Sequence, residues 1–490
     1  MSLDPLVQLV RSRQQDKWSE RNDDAFKALF GSPEGRYPKA AEKSVTLRAP
    51  EMSQDSGVPF AAYIHPANPS KGAYGGFSYV MFPVAESPCL VGLVVGTQGL
   101  APDEAILGRP GHARKAQAIC AWLNKEFGKG QQIAWAKQDP TRLDVDVPDD
   151  LQRQWNDYKA VFDRYGNVMY AIFKPNSDPE VTRQAVSAFV DLTFEERRFP
   201  VNANCRQDSE DIRARWFGYL MPVVTRHEVR KLLDSQRFVI LQGPPGTGKT
   251  MMAVDLLSDE YGGSGRSIQF HPNTTYENFI GGLAPEESGT QLGLNFKPKP
   301  GFLMESARQA RNSYPKPYLL HIDEINRADL AKILGEAIYL FEPKSPQKRG
   351  IDLPYDFGEP FHAKFELPEN LQVLGTMNSA DRSIAIVDVA VRRRFAFVSL
   401  WPQMSVVEEH GGELMKTAFR RIVSLFIEHA GEDAFPLVLG HSYFLESDEG
   451  AAKESLRVNL GPLLEEYLAQ GYVTGFAEQI RTYLQWLQSL

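Results

Sequence analysis

Gly243-Pro244-Pro245-Gly246-Thr247-Gly248-Lys249-Thr250 follows the order G-x-x-x-x-G-K-[ST], three glycines leading into a lysine and a hydroxyl. Glycines let backbone N–H groups face a phosphate without a Cβ in the way, and the start of a following helix adds partial positive charge. In such a loop Lys249 reaches the β- and γ-phosphates and Thr250 holds Mg²⁺. Asp323-Glu324 closes an apolar run further on. Asp323 is suited to the magnesium shell, and Glu324 to orienting and polarising an attacking water. Asn378, at the end of a third apolar run, is suited to hold that water and sense the γ-phosphate. Arg392-Arg393-Arg394 follows, three cations of which one would enter a neighbouring subunit's site as an arginine finger, worth roughly 10³–10⁵ in rate where tested. Each feature has a purely structural reading: a Gly/Pro turn, an acidic strand end, a terminal Asn, arginines that complement a helix dipole. Together they point to phosphoryl transfer, where positioning and charge neutralisation carry the catalysis.

That chemistry requires strands that stop at one edge. Arg237–Gln242 is short, almost continuously apolar and runs straight into the glycine loop, as a buried parallel strand does. A helix is expected over Met251–Leu257. Tyr318–Ile322 and Leu371–Thr376 read as two further strands, and Asp388–Val391 as a helix ending in the arginines. His321, inside an apolar strand, reads as a buried neutral histidine.

The first 205 residues have a different texture. Strands are predicted over Pro59–Ile64, Phe77–Phe82, Leu90–Val95 and Val168–Phe173, with helices over Ala113–Phe127 and Val181–Phe194. Residues 1–45 suit one or two short amphipathic helices, and Glu195–Asn204 reads as a linker. Gly108–Lys115 concentrates three cations and a histidine at a loop-to-helix boundary. A solvated turn is the expected reading there; a phosphate contact, with Trp122, Trp135 and Tyr63 stacking on bases, is the sharper one.

Composition bounds the rest. The chain has 490 residues, 54 basic and 62 acidic, for a net charge of −8, so an attraction of the whole surface to DNA or an anionic membrane is not expected. Cys89, Cys120 and Cys205 are widely spaced and odd in number, which suits a reducing cytoplasm. No signal peptide or membrane-spanning run is read, and the expected localisation is cytoplasmic. No nuclease motif appears: Asp144-Val145-Asp146 is a paired-acid candidate without the lysine that should follow.

The glycine loop, Asp323-Glu324-Ile325-Asn326-Arg327-Ala328 and Gly375-Thr376-Met377-Asn378-Ser379-Ala380-Asp381-Arg382-Ser383 together resemble the McrB family of AAA+ motor subunits. Gln269-Phe270-His271-Pro272, Tyr276-Glu277-Asn278-Phe279 and Gly440-His441-Ser442-Tyr443-Phe444 match as well, and the resemblance covers about residues 220–470. It implies an α/β AAA+ P-loop core with a parallel sheet and an α-helical lid, preceded by an α+β domain, with boundaries at 1–205, 206–402 and 403–490. It makes Asn378 the sensor, places Asp381 and Arg382 at the site or the subunit boundary, and makes Arg393 or Arg394 the finger. Leu283–Gly301 becomes the hairpin of the helix-2-insert branch. The implied function is a Mg²⁺-dependent GTP or ATP hydrolase, a hexameric ring driving an McrC-like or other nuclease in restriction or anti-phage defence, with nucleic acid met through the N-terminal domain. A MoxR-like chaperone remodelling a protein partner is the alternative reading.

Overall fold

The computed structural model describes residues 3–14, 18–31, 34–49, 58–287, 294–342, 349–379 and 388–490. Asp381 and Arg382, with the rest of the 380–387 stretch, lie outside the described residues. The chain forms two compact units: Met1–Met221 with Leu425–Gly431, and Pro222–Ser424 with Glu432–Leu490.

The first unit is built on a six-stranded antiparallel sheet. Its strands are β1 (Thr46–Arg48), β2 (Ala61–Ile64), β3 (Phe77–Phe82), β4 (Leu90–Val95), β5 (Ala134–Ala136) and β6 (Met169–Phe173), in the order β1-β2-β3-β4-β6-β5. Strands β2, β3, β4 and β6 are buried along their whole length, which explains why they read as apolar runs rather than alternating ones. One face packs on Trp155, Tyr158, Val161 and Phe162. The helices Pro110–Phe127 and Pro179–Glu196 match the predicted spans to within a few residues, and Asp178 caps the second. The Glu195–Asn204 stretch is not a free linker. Glu196 is buried, and Asn202 donates its side-chain amide to Gly31 O and Gly35 O, both at 2.9 Å.

The Gly108–Lys115 stretch overturns both expectations for it. His112, Arg114 and Lys115 are all buried. Arg109 and Lys115 pair with the buried carboxylate of Glu196, Lys115 at 2.9 Å, and His112 Nε2 shares a hydrogen bond with Tyr170 at 2.8 Å. Burial, reinforced by Lys115 and Arg109, pushes the His112 pKa down to about 3. Trp122 and Tyr63 are core residues, closed to any base.

The second unit centres on a five-stranded parallel sheet: β7 (Phe238–Gly243), β8 (Gly265–Gln269), β11 (Tyr318–Asp323), β14 (Leu371–Asn378) and β15 (Ala396–Ser399), in the order β15-β7-β14-β11-β8. Both faces are covered. Phe238 and Ile240 join Leu320, Ile322 and Val373 in one core, while Val239 and Leu241 join Leu319 and Leu374 in the other. Strands buried on both sides lose the polar–apolar alternation of a half-exposed sheet. Between them lie the antiparallel hairpin β9 (Gly281–Glu287)/β10 (Leu294–Pro300), at the expected insert, and the short pair β12 (Gly350–Asp352)/β13 (Lys364–Glu366). Helices Met404–His410, Glu413–His429, Glu449–Ser455, Gly461–Ala469 and Ala477–Gln488 complete the C-terminal part. Among the described residues no helix is long and apolar enough to cross a membrane.

Candidate active site

Parallel register brings three strand ends to one edge. Asn378 pairs with Gly243 across β14 and β7, and Ile322 with Gly375 across β11 and β14. The C-terminal edge of such a sheet is where open α/β folds place ligands. A cavity of about 300 Å³ opens there, lined by Pro245, Gly246, Gly248, Lys249, Thr250, Met251, Asp323, Glu324, Thr376, Met377, Asn378 and Ser442.

The glycine loop turns off β7 and ends in the helix Lys249–Asp255, so Lys249 and Thr250 are its first two residues. Gly246 and Gly248 have φ of +78° and +77°, a region that favours glycine. The Lys249 ammonium donates to Pro244 O at 2.7 Å and Gly243 O at 3.1 Å. Burial pushes its pKa down to about 8, against the upward pull of Glu324 and Asp323. Thr247 is tied into the loop by its hydroxyl, which donates to Pro244 O at 3.0 Å.

Across the cavity, Thr250 Oγ1 donates to Asp323 Oδ1 at 2.9 Å, and Thr376 Oγ1 donates to the same oxygen. A hydroxyl beside a carboxylate at the mouth of a phosphate-type loop is a hard-oxygen pair that fits Mg²⁺, an ion held by one or two carboxylates together with phosphate oxygens. Glu324 has left the strand: its backbone is left-handed, with φ of +52° and ψ of +45°. Its carboxylate accepts from Asn378 Nδ2 at 3.0 Å and from Arg327 Nε at 3.3 Å. Asn326 Nδ2 in turn donates to Asn378 O at 3.4 Å.

Thus Gly246, Gly248, Lys249, Thr250, Asp323, Glu324 and Asn378 share one cavity. The arginines do not line it. Arg394 is buried and donates to Ala390 O at 2.8 Å; Arg392 lies over the Phe397 ring at 5.3 Å. Arg393 is exposed. Asp388 caps the short helix Val389–Arg392 that carries them. His321 is buried with Nδ1 against Ser267 Oγ at 2.8 Å, and burial lowers its pKa. Thr376, Arg327 and Ser442 were given no role by the sequence. Thr376 had a legible signal, a hydroxyl two residues before Asn378 near the end of a largely apolar strand; the other two reach the site only through folding.

Residues 238–395 match the AAA domain family (dynein-related subfamily). The Type IV methyl-directed restriction enzyme EcoKMcrB subunit of Escherichia coli (strain K12) is 35% identical over 271 residues, 50% of this chain and 57% of that protein. The Type II restriction enzyme BsuMI component YdiS of Bacillus subtilis (strain 168) is 26% identical over 255 residues, 43% of this chain and 73% of that protein. A cytoplasmic dynein heavy chain of Saccharomyces cerevisiae is 30% identical over 149 residues, 30% of this chain but 3% of the dynein. The chain therefore spans a little over half the length of the McrB subunit and a small piece of the dynein. A parallel sheet ordered β15-β7-β14-β11-β8, a G-x-x-x-x-G-K-T loop at its edge and these likenesses agree: the chain carries an McrB-like AAA+ domain of the P-loop NTPase fold.

Proposed function

We propose that this chain hydrolyses a purine nucleoside triphosphate as the ring-forming motor of a restriction or anti-phage defence complex, driving a partner nuclease. One observation carries the reading: Lys249, Thr250, Asp323, Glu324 and Asn378 line one cavity, with Thr250 on Asp323 at 2.9 Å and Asn378 on Glu324 at 3.0 Å. The loop N–H groups and Lys249 bind and orient the phosphates. Thr250 and Asp323 would hold Mg²⁺, which supplies neutralisation of charge on the β- and γ-phosphate oxygens. Glu324 takes a hydrogen bond from the attacking water and aligns it, and Asn378 fixes the Glu324 carboxylate. Arg393 is the finger for a neighbouring copy: Arg394 is buried and donates to Ala390 O, and of the two exposed arginines Arg392 lies over the Phe397 ring, which leaves Arg393. The restriction names of the two bacterial relatives support a defence role, and both name components of larger enzymes, which supports a nuclease partner.

The test is hydrolysis of ATP against GTP by the purified chain, alone and with the product of its neighbouring gene. Lys249→Ala should bind neither nucleotide. Glu324→Gln should bind and fail to turn over; a residual rate within about tenfold of wild type, a barrier change of only about 1.4 kcal/mol, would remove Glu324 from the reaction.

A second site, in the first unit, supports contact with nucleic acid. A cavity of about 360 Å³ is walled by Phe60, Tyr74, Phe82 and Tyr165 with Arg48 and Arg164. Arg48 is 8% exposed, its guanidinium lies 5.7 Å from the Phe60 ring, and its buried Nη1 has no hydrogen-bond partner among the described residues. Aromatic walls with a buried donor suit a planar base with an acceptor edge. Arg48→Ala should weaken binding of modified duplex DNA while leaving nucleotide hydrolysis intact; equal DNA affinity would exclude the site.

A further inference from the structure

A histidine inside a buried parallel strand needs a physical reason, because each of its two ring nitrogens is costly to bury unless it is paired. His321 stands on β11 between Leu374 of β14 and Ser267 of β8, and it is fully buried. Side chains alternate along a strand, so Leu319, His321 and Asp323 share one face. On that face Leu319 packs with Ala253 and Leu256, which follow the glycine loop. The ring's Nδ1 meets Ser267 Oγ at 2.8 Å. Its Nε2 is buried with no hydrogen-bond partner among the described residues. The acceptor nearby is Asp323 Oδ1, 4.0 Å away, the same oxygen that takes the Thr250 and Thr376 hydroxyls. At that distance the contact is electrostatic rather than a hydrogen bond.

Which nitrogen carries the proton of the neutral ring follows from the neighbours. A proton on Nδ1 would turn the Nε2 lone pair toward a carboxylate oxygen, setting two acceptors face to face. Ser267 can donate as well as accept; by donating to Nδ1 it leaves the proton on Nε2, on the side of Asp323. Carboxylates that hold a metal are oriented by hydrogen-bond donors behind them, and those donors tune the affinity for the ion. Thr250 and Thr376 reach Asp323 from the helix and from β14, whereas His321 belongs to the strand that carries it. We propose that His321 is a positioning residue for the nucleotide's Mg²⁺: held by Ser267, its Nε2–H aligns the Asp323 carboxylate with Thr250. The proposal rests on the Mg²⁺ reading of Thr250 and Asp323 above, and adds a donor from outside the glycine loop and the acidic pair. The unpaired nitrogen is then a cost in stability that the bound ion explains.

The experiment is equilibrium binding of ATP and GTP in EDTA and across a Mg²⁺ series, with melting temperatures taken without nucleotide or metal. Wild type is compared with Asp323→Ala, His321→Leu, His321→Gln and Ser267→Ala, and bound Mn²⁺, read by electron paramagnetic resonance, reports the ion directly. His321→Leu should need about tenfold more Mg²⁺ for half-maximal binding and hold Mn²⁺ correspondingly more weakly. Its binding in EDTA should stay within about twofold of wild type, and its melting temperature should not fall, since leucine buries no unpaired nitrogen. His321→Gln keeps a donor and should lie closer to wild type. Ser267→Ala, at an exposed position, should raise the Mg²⁺ requirement by about threefold, and it decides the matter if the leucine variant does not fold. An unchanged Mg²⁺ requirement, an equal loss with and without metal, or a glutamine variant no better than leucine overturns the proposal. If Asp323→Ala loses the gain that Mg²⁺ gives wild type while His321→Leu keeps it in full, only the role of His321 fails. Wild type that gains nothing from Mg²⁺ refutes the metal reading itself, and the proposal with it.

Discussion

At the scale of single residues, Lys249 and Glu324 are each held in a condition that costs something. Lys249 keeps a charge in a buried place, so its pKa sits near about 8 rather than its ordinary value near 10.5. The charged form is the one that meets phosphate, so above pH 8 the free site must first regain a proton. Affinity for triphosphate should therefore fall as pH rises, by roughly tenfold between pH 7 and pH 9, in a titration series of binding isotherms. Glu324 keeps a left-handed backbone that non-glycine residues adopt at a cost of about 1–2 kcal/mol. Glu324→Gly and Glu324→Ala both lose the carboxylate, so their difference isolates the backbone. Glycine should be the more stable by about 1 kcal/mol in urea unfolding, and a more stable alanine variant would mean that the turn relaxes. Neither condition was legible in the sequence. The lysine and the carboxylate were, because their spacing from the glycines and from the apolar run is local; burial and φ are properties of the finished fold.

At the scale of elements, the parallel strands were readable because both faces are covered, which leaves β7, β11 and β14 as largely apolar runs despite His321 in β11 and Gln372 in β14. The tip of β14 does more than end in Asn378. Thr376 donates to Asp323 and accepts from Glu324 N at 3.3 Å, so it ties two neighbouring strand ends together. Thr376→Val keeps the shape and removes the hydroxyl; turnover should fall about tenfold or more with stability lower by about 1–2 kcal/mol, read from steady-state kinetics and unfolding. The cluster on the helix Pro110–Phe127 was misread for a physical reason. A run of Arg, His, Arg and Lys looks solvated by itself, and its buried carboxylate, Glu196, lies 87 positions away from Arg109. Glu196→Ala would leave Arg109 and Lys115 without that carboxylate in a buried place and should cost about 3–5 kcal/mol. His112, facing Glu196, Lys115, Arg109, Arg197 and Tyr170, stays neutral in the folded protein down to about pH 3. The unfolded chain takes up that proton near pH 6.5, so stability is lost as pH falls below 6.5, and His112→Gln should flatten the slope of the urea midpoint against pH.

At the scale of the whole molecule, a net charge of −8 makes any contact with nucleic acid a matter of a local site rather than of the overall field. The cavity around Arg48 is the site proposed for it, and nothing in the local sequence announced it, because its walls come from distant positions such as Arg48, Phe60, Tyr74, Phe82 and Tyr165. The arginines at 392–394 were legible as a group; packing buries Arg394 and leaves Arg392 and Arg393 exposed, with Arg392 over the Phe397 ring. If Arg393 acts on a neighbouring copy, Arg393→Ala and Glu324→Gln are each nearly inactive, yet a mixture contains sites with an intact glutamate and an intact donor. Mixing them should restore measurable turnover, and no recovery at any ratio would place the arginine elsewhere.

Finally, the Lys249 ammonium already has oxygen partners within the loop, at Gly243 and Pro244. An incoming phosphate oxygen therefore competes with built-in acceptors instead of adding new bonds, and one hydrogen bond replaces another at little net gain. What tips that exchange is charge: a phosphate carries it and a carbonyl does not. Recognition at this loop should then weaken with added salt far more than it responds to any neutral mimic of the same shape.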